Sequence, residues 1–178
     1  MSKVLAIDTS TSRTCVAIID GDEVLYNGHR DGATAHGPSL PQLVQEALAV
    51  SPVDEVVVGM GPGPFTGLRV GIAFAHTFAL AREIPVRGVC SLDAIADQVS
   101  DQDFIITVDA RRKEVYWARY TDGKRVSEPA VNFPADVSGA TIYADLFPDM
   151  KALVQLTSDI SEPIYLRRPD AVATADRT

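Results

Sequence analysis

Two tandem α/β half-domains, the second cut short, are predicted by the sequence on three observations. Short β-branched apolar runs such as Val4-Leu5-Ala6-Ile7 and Val56-Val57-Val58 alternate with segments whose apolar residues recur at helical spacing. The opening pattern returns after roughly 101 residues, Phe104-Ile105-Ile106-Thr107-Val108-Asp109 matching Val4-Leu5-Ala6-Ile7-Asp8. One stretch, Gly59 to Gly71, sets so many Gly and Pro residues between a strand and a helix that its backbone path must be closely specified.

Taken in order, residues 4–7 form a strand that ends in Asp8-Thr9-Ser10-Thr11-Ser12. Residues 14–19 are a second strand, Gly21-Asp22 is the hairpin turn after it, and 23–26 start a third. A polar loop over 27–39 holds His29 and His36, and His36 is read as polar surface. Leu40, Leu43, Val44, Ala47 and Leu48 predict a helix with Pro41 in its first turn, stopped by Ser51-Pro52. Residues 55–58 are a buried strand, and 68–82 a helix of about 15 residues with Thr66 as its N-cap. A strand over 86–89 and a helix over 92–99, capped by Ser91, complete the first half. Ser100-Asp101-Gln102-Asp103 reads as the boundary, giving a first half-domain over 1–101 and a smaller one over 102–166. In the second copy 114–120 alternates like 14–19, Asp122-Gly123 replaces the first turn, 141–143 is a further strand and 148–156 a short helix. The tail, 167–178, ends in small and polar residues and is expected to be mobile.

The helix after the Gly-Pro loop has too few polar residues for a free surface. Leu68, Ile72, Ala75 and Ala79 lie on one side, but Val70, Ala73, Phe74, Phe78 and Ala81 spread around the rest. Before Arg82 only Arg69, His76 and Thr77 are polar, and small residues invite a second backbone close. Such a helix needs cover on both faces. The loop itself is not a phosphate cradle: it lacks Gly-Lys-Ser/Thr at the helix start, and Pro62 and Pro64 remove two N–H donors. A serine-hydrolase elbow fails as well, because Phe65 stands where the nucleophile would be.

Composition bounds the function class. The 178 residues are 46% hydrophobic and 22% charged, as in an ordinary globular protein. A net charge of −8 disfavours nucleic-acid binding by the chain alone, since neutralising phosphates takes a basic face. Arg111, Arg112, Lys113, Arg167 and Arg168 nevertheless make a local basic edge. Met1-Ser2-Lys3 leads straight into a strand and no apolar run reaches about 18 residues, so no signal peptide, no membrane and a cytoplasmic location are expected. Cys15 and Cys90 are too few for a disulfide framework or a zinc site and are expected to stay reduced and buried.

Two half-domains that each open on strand, Asp and hairpin resemble the actin-like (ribonuclease H-like) fold of sugar kinases, heat-shock chaperones and actin. In those proteins the two hairpins hold ATP phosphates. Asp8, Thr9 and Ser10 of the first hairpin, with Asp109 and Arg111 of the second, are the residues that would meet a nucleotide here. Neither hairpin has the Gly that lets backbone approach a phosphate. Asp8 and Asp109 either carry Mg²⁺ through water or simply close hairpins at strand ends.

Ile7-Asp8-Thr9-Ser10, the loop Gly61-Pro62-Gly63-Pro64-Phe65-Thr66-Gly67-Leu68-Arg69-Val70-Gly71, then Gly88-Val89-Cys90-Ser91-Leu92 and Pro163-Ile164-Tyr165-Leu166-Arg167 together resemble the bacterial TsaB family over nearly the whole chain. These are tRNA threonylcarbamoyladenosine biosynthesis subunits, and the central loop is the specific part of the match. The resemblance implies a non-catalytic scaffold that pairs with and activates a catalytic paralogue, TsaD. With a small ATPase, TsaE, the assembly places threonylcarbamoyl on the adenosine beside the anticodon of tRNA. It further implies no cofactor on this chain, ATP and a metal ion on the partners, and tRNA met only within the complex. The paralogue's metal-binding His-x-x-x-His falls on Ser91 and Ile95, neither of which replaces an imidazole, so no catalytic and no metal residue is expected. In the family the helix after the loop packs on its counterpart in the paralogue, or on itself in a homodimer. The contacts implied are Phe65, Arg69, Ile72, Ala73, His76, Phe78 and Ala79. Readings of another class are an actin-fold enzyme, metallopeptidase-like or small-molecule kinase-like, and a stand-alone nucleotide binder. The missing His pair and the Gly-free hairpins count against both.

Overall fold

β1 (Lys3–Asp8), β2 (Arg13–Asp20) and β3 (Glu23–Asp31) form an antiparallel meander in the computed structural model, which describes residues 2–32 and 34–167. β4 (Glu55–Gly59) and β5 (Val86–Val89) extend it in parallel, in the order β3-β2-β1-β4-β5. Parallel neighbours need crossovers, and α1 (His36–Val50) and α2 (Phe65–Arg82) supply them. The period-2 alternation of side chains then sorts the core into two layers. Leu5, Ile7, Val16, Ile18, Val56 and Val58 meet Leu40, Leu43, Ala75 and Ala79 of α1 and α2. Val4, Ala6, Cys15, Ala17, Ile19, Val57 and Val89 face the other way, against Ala94, Met150 and Leu153. With both faces covered, the strands read as unbroken apolar runs.

The second sheet repeats this pairing in miniature. β6 (Asp103–Asp109) pairs antiparallel with β7 (Val115–Thr121) and parallel with β10 (Thr141–Tyr143), as β1 does with β2 and β4. β8 (Lys124–Arg125) and β9 (Ala130–Asn132) both pair with β7. α3 (Ser91–Ala96) sits between the sheets, with Leu92, Ile95 and Ala96 against Phe104, Ile106, Ala118 and Tyr120. α4 (Met150–Gln155), whose first turn is capped by Asp149 accepting from the Ala152 N–H at 2.8 Å, returns from the second half to pack on the first sheet. The following segment stays there too, Ile160 donating to the Gly88 carbonyl and Ile164 to that of Met60.

Several expected elements are shifted. β3 runs on to Asp31, through residues expected to be loop, because Asn27 to Asp31 continue the ladder with β2. At a sheet edge, backbone pairing requires no apolar signature. α1 begins at His36, so Pro41 lies inside the helix and Pro38 occupies the first turn. α2 begins at Phe65 with Pro64 as its N-cap, which makes Thr66 its second residue and not the cap. α3 has Cys90 as N-cap and ends at Ala96, so Ser91 is a helical residue with another task. β8 and β9 are two and three residues long, too short for any period to show. The expected tail, apart from Arg167, and Arg168 of the basic edge lie outside the described residues. Among the described residues no helix is long and apolar enough to cross a membrane. Both cysteines are buried and free, and burial pushes the Cys90 thiol up to about 12.

Candidate functional site: a clamped hairpin and an open helix face

Asp8 ends β1 pointing to the α3 side, where its carboxylate is fully buried and accepts three hydrogen bonds. The N–H and hydroxyl of Ser10 donate to Oδ1 at 2.8 and 2.7 Å, and the Ser91 hydroxyl donates to Oδ2 at 2.6 Å. Ser91 also accepts from the Gly61 N–H at 3.2 Å and donates its own N–H to the Gly61 carbonyl at 2.9 Å. One residue later, the Thr9 hydroxyl donates to the Gly67 carbonyl at 2.8 Å and accepts from the Gly71 N–H at 3.1 Å. The Gly-Pro loop and the start of α2 are thus clamped onto the first hairpin. The glycines are what permit the approach. A Cβ at Gly59 would stand 1.8 Å from Asp8 Oδ2, and one at Gly71 2.4 Å from Thr9 Oγ1.

His36 completes the cluster: it is buried, with Nδ1 2.8 Å from the Thr14 hydroxyl, and not the polar surface the sequence suggested. Burial pulls its pKa below the usual histidine value, so the neutral ring is favoured. Burial likewise pushes the Asp8 carboxyl above its usual range, against the opposing pull of the Ser91 and Ser10 hydrogen bonds. Folded Asp8 therefore holds its proton more tightly than unfolded Asp8. Between the ordinary value of 3.8 and the higher folded one, the native state carries the extra proton and stability falls as pH rises. Asp8→Asn removes that titration. The melting-temperature difference between native and variant is expected to move in favour of the native protein as pH is lowered from about 7 to about 4. Scanning fluorimetry reads it, and a difference that stays constant with pH would contradict the assignment.

The nucleotide reading needs correction at three positions. Asp8, Thr9 and Ser10 are no more than 1% exposed, with their side chains engaged inside the chain, so they face no ligand. Asp109 and Arg111 do reach the cleft between the hairpins, together with Thr11, Ser12, Pro64 and Asp145. That cleft holds about 80 Å³, against the roughly 300 Å³ at which small-molecule sites begin. Nor do the positions set against the paralogue's His pair fit a metal ion. The Ser91 hydroxyl is committed to Asp8 and Gly61, and Ile95 is buried in the apolar layer under β6.

α2 is the open element. Gly67, Leu68, Gly71, Ala75 and Ala79 are buried, and Val70, Ile72, Phe74 and Phe78 are half-buried against the same core. Arg69, Ala73, His76 and Leu80 are exposed at i, i+4, i+7 and i+11, one continuous stripe. Of the expected contacts, Arg69, Ala73 and His76 are brought together. Ile72 and Phe78 lean into their own core, and Ala79, 1% exposed, is wholly within it and can touch no partner. Phe65 is half-buried, its ring 4.9 Å from that of Tyr165 and beneath the Arg69 guanidinium. Leu80 was missed although it is 80% exposed. Its spacing four residues beyond His76 was the available signal.

A family model described as TsaD, tRNA N6-adenosine threonylcarbamoyltransferase, matches residues 30–171. An uncharacterized protein of Mycobacterium tuberculosis is 43% identical over 200 aligned positions, covering 96% of this chain and 94% of its own. That alignment is longer than the 178 residues here, so the mycobacterial protein carries additional residues within the match. The tRNA threonylcarbamoyladenosine biosynthesis protein TsaB of Escherichia coli is 34% identical over 128 residues, which cover 66% of this chain and 54% of that protein. The match thus spans about half the length of that relative. Among solved structures, a Pseudomonas aeruginosa protein described as similar to peptidase YeaZ superposes with a TM-score of 0.79 at 25% identity, covering 94% of this chain and all of that one.

Proposed function

The chain belongs to the TsaD family and is TsaB-like within it, and on that premise we propose that it serves threonylcarbamoyladenosine formation on tRNA as a non-catalytic subunit. Its task is to dock a TsaD-type paralogue along α2. The observation that carries this reading is the exposed stripe Arg69, Ala73, His76 and Leu80. A leucine left 80% exposed two helical turns from the exposed Ala73 offers a second helix an apolar seat. The clamp formed by Asp8, Ser91 and Thr9 gives the stripe a fixed orientation. With the first hairpin filled by its own loop, the nucleotide and metal chemistry of the assembly falls to the partners, a TsaE-type ATPase among them. tRNA is met within the complex, and alone the chain pairs with itself through the same stripe.

Size-exclusion chromatography with light scattering tests this on the chain alone and mixed with the paralogue from the same cell. A one-to-one complex formed at the expense of a self-dimer is expected. Elution unchanged by the paralogue would overturn the pairing. With the purified chain alone, ATP or peptide turnover would favour the actin-fold enzyme reading instead.

A further inference from the structure

Between β6 and β7 the chain turns through Arg111, Arg112 and Lys113, the only run of three cations in the sequence, and all three are exposed. All three also take positive φ, at 59, 55 and 64°. Long L side chains adopt that conformation only at a cost, whereas glycine adopts it freely. Backbone bonds and the Asp109 carboxylate close the turn. The Ala110 N–H donates to the Glu114 carbonyl at 2.9 Å, the Glu114 N–H to the Arg111 carbonyl at 3.0 Å, and the Arg111 N–H to Asp109 Oδ1 at 2.8 Å. None of these bonds requires a charged side chain at Arg111 or Lys113, so both are held against the backbone preference of their own hairpin. The adjacent carboxylate of Glu114 is matched by Arg167, which also donates to the Ala110 carbonyl at 2.9 Å. The tip thus exposes Arg111 and Lys113 beside a cleft that Asp109 and Asp145 also line, in a chain of net charge −8.

We propose that this tip contacts the phosphate backbone of the tRNA handled by the assembly, an inference that rests on the function proposed above. A polyanion fits better than a single phosphate. Successive residues of a helical turn, left-handed here, diverge by about 100°, which spreads the three charges around the tip instead of converging them on one anion. The neighbouring cleft is small, about 80 Å³. The acidic remainder of the chain repels RNA, so a local cluster orients the RNA within the complex without binding it tightly alone.

Arg111→Gly combined with Lys113→Gly removes two charges while suiting the positive φ. The complex of this chain with its paralogue is titrated with unmodified transcribed tRNA at several salt concentrations. At about 0.1 M salt the double variant is expected to bind about ten-fold more weakly, with a log–log salt slope shallower by about two. Arg111→Lys is expected to bind like the native chain, and the glycine variant to melt no lower than it. Unchanged affinity and slope would overturn the proposal. Displacement of the RNA by ATP or inorganic phosphate at matched phosphate concentration would do the same, marking a small-anion site. Should no complex form, the pairing fails separately, and the chain alone at low salt decides the tip. Weak RNA binding that is lost in the glycine variant supports it, and weak binding that the glycine variant keeps overturns it.

Discussion

Ala73→Glu is expected to leave the chain folded and to weaken pairing along α2 by at least about a hundred-fold, roughly 3 kcal/mol. Ala73 is exposed in the middle of the stripe, so a glutamate there meets only water in the free chain. In a helix pair the same side chain would hold the backbones apart and be stripped of water without a partner for its charge. Light scattering reads the loss of complex, and an unchanged melting temperature shows that the chain itself is intact. Ala79→Glu is the control. At 1% exposure Ala79 packs beneath the helix against the first sheet, and a carboxylate there is expected to unfold the chain, not merely to block pairing. Intact pairing by Ala73→Glu would remove α2 as the contact surface.

Gly59→Ala is expected to destabilise by about 3 kcal/mol or more, a fall of roughly 6–12 °C in Tm. The added methyl would stand 1.8 Å from Asp8 Oδ2 and 2.5 Å from the Ser91 hydroxyl. Neither group can retreat, since each is buried and bonded to the other at 2.6 Å. Moving the carboxylate would also release Ser10 and, through Ser91, the Gly61 N–H that holds the Gly-Pro loop. The clamp therefore yields as a unit, and α2 loses its fixed angle along with the stability. Thermal melting of Gly59→Ala checks this, and a Tm within about 2 °C of native would mean that the hairpin and loop are not clamped.

What could be read from the sequence was the architecture. The strands stood out because both sheet faces are buried, which leaves unbroken apolar runs in β1, β4 and β6. The repeat showed because β6 and β7 reproduce the pairing of β1 and β2 around an Asp at the same place. The crowding of Gly and Pro after β4 marked the loop, and the shortage of polar residues in α2 marked a helix in need of cover.

The sequence also brought out most of the site residues, but not their roles. Asp8 and Ser91 are 83 positions apart, and Thr9 and Gly71 are 62. No local pattern says that a hydroxyl on one helix will close over a carboxylate at the end of a distant strand. Ser91 accordingly read as a cap, and Asp8 as either a carrier of Mg²⁺ through water or a residue that closes its hairpin. The choice between Ala73 and Ala79 is of the same kind. A helix apolar nearly all round has no phase of its own, and contact with β4, β1 and α1 decides which alanine is core and which is surface. The sequence by itself determined the strands, the repeat and the need of α2 for cover on both faces. Only the tertiary structure decided which side of α2 is left open and that the first hairpin is closed, because both depend on long-range packing between segments with no shared local signal.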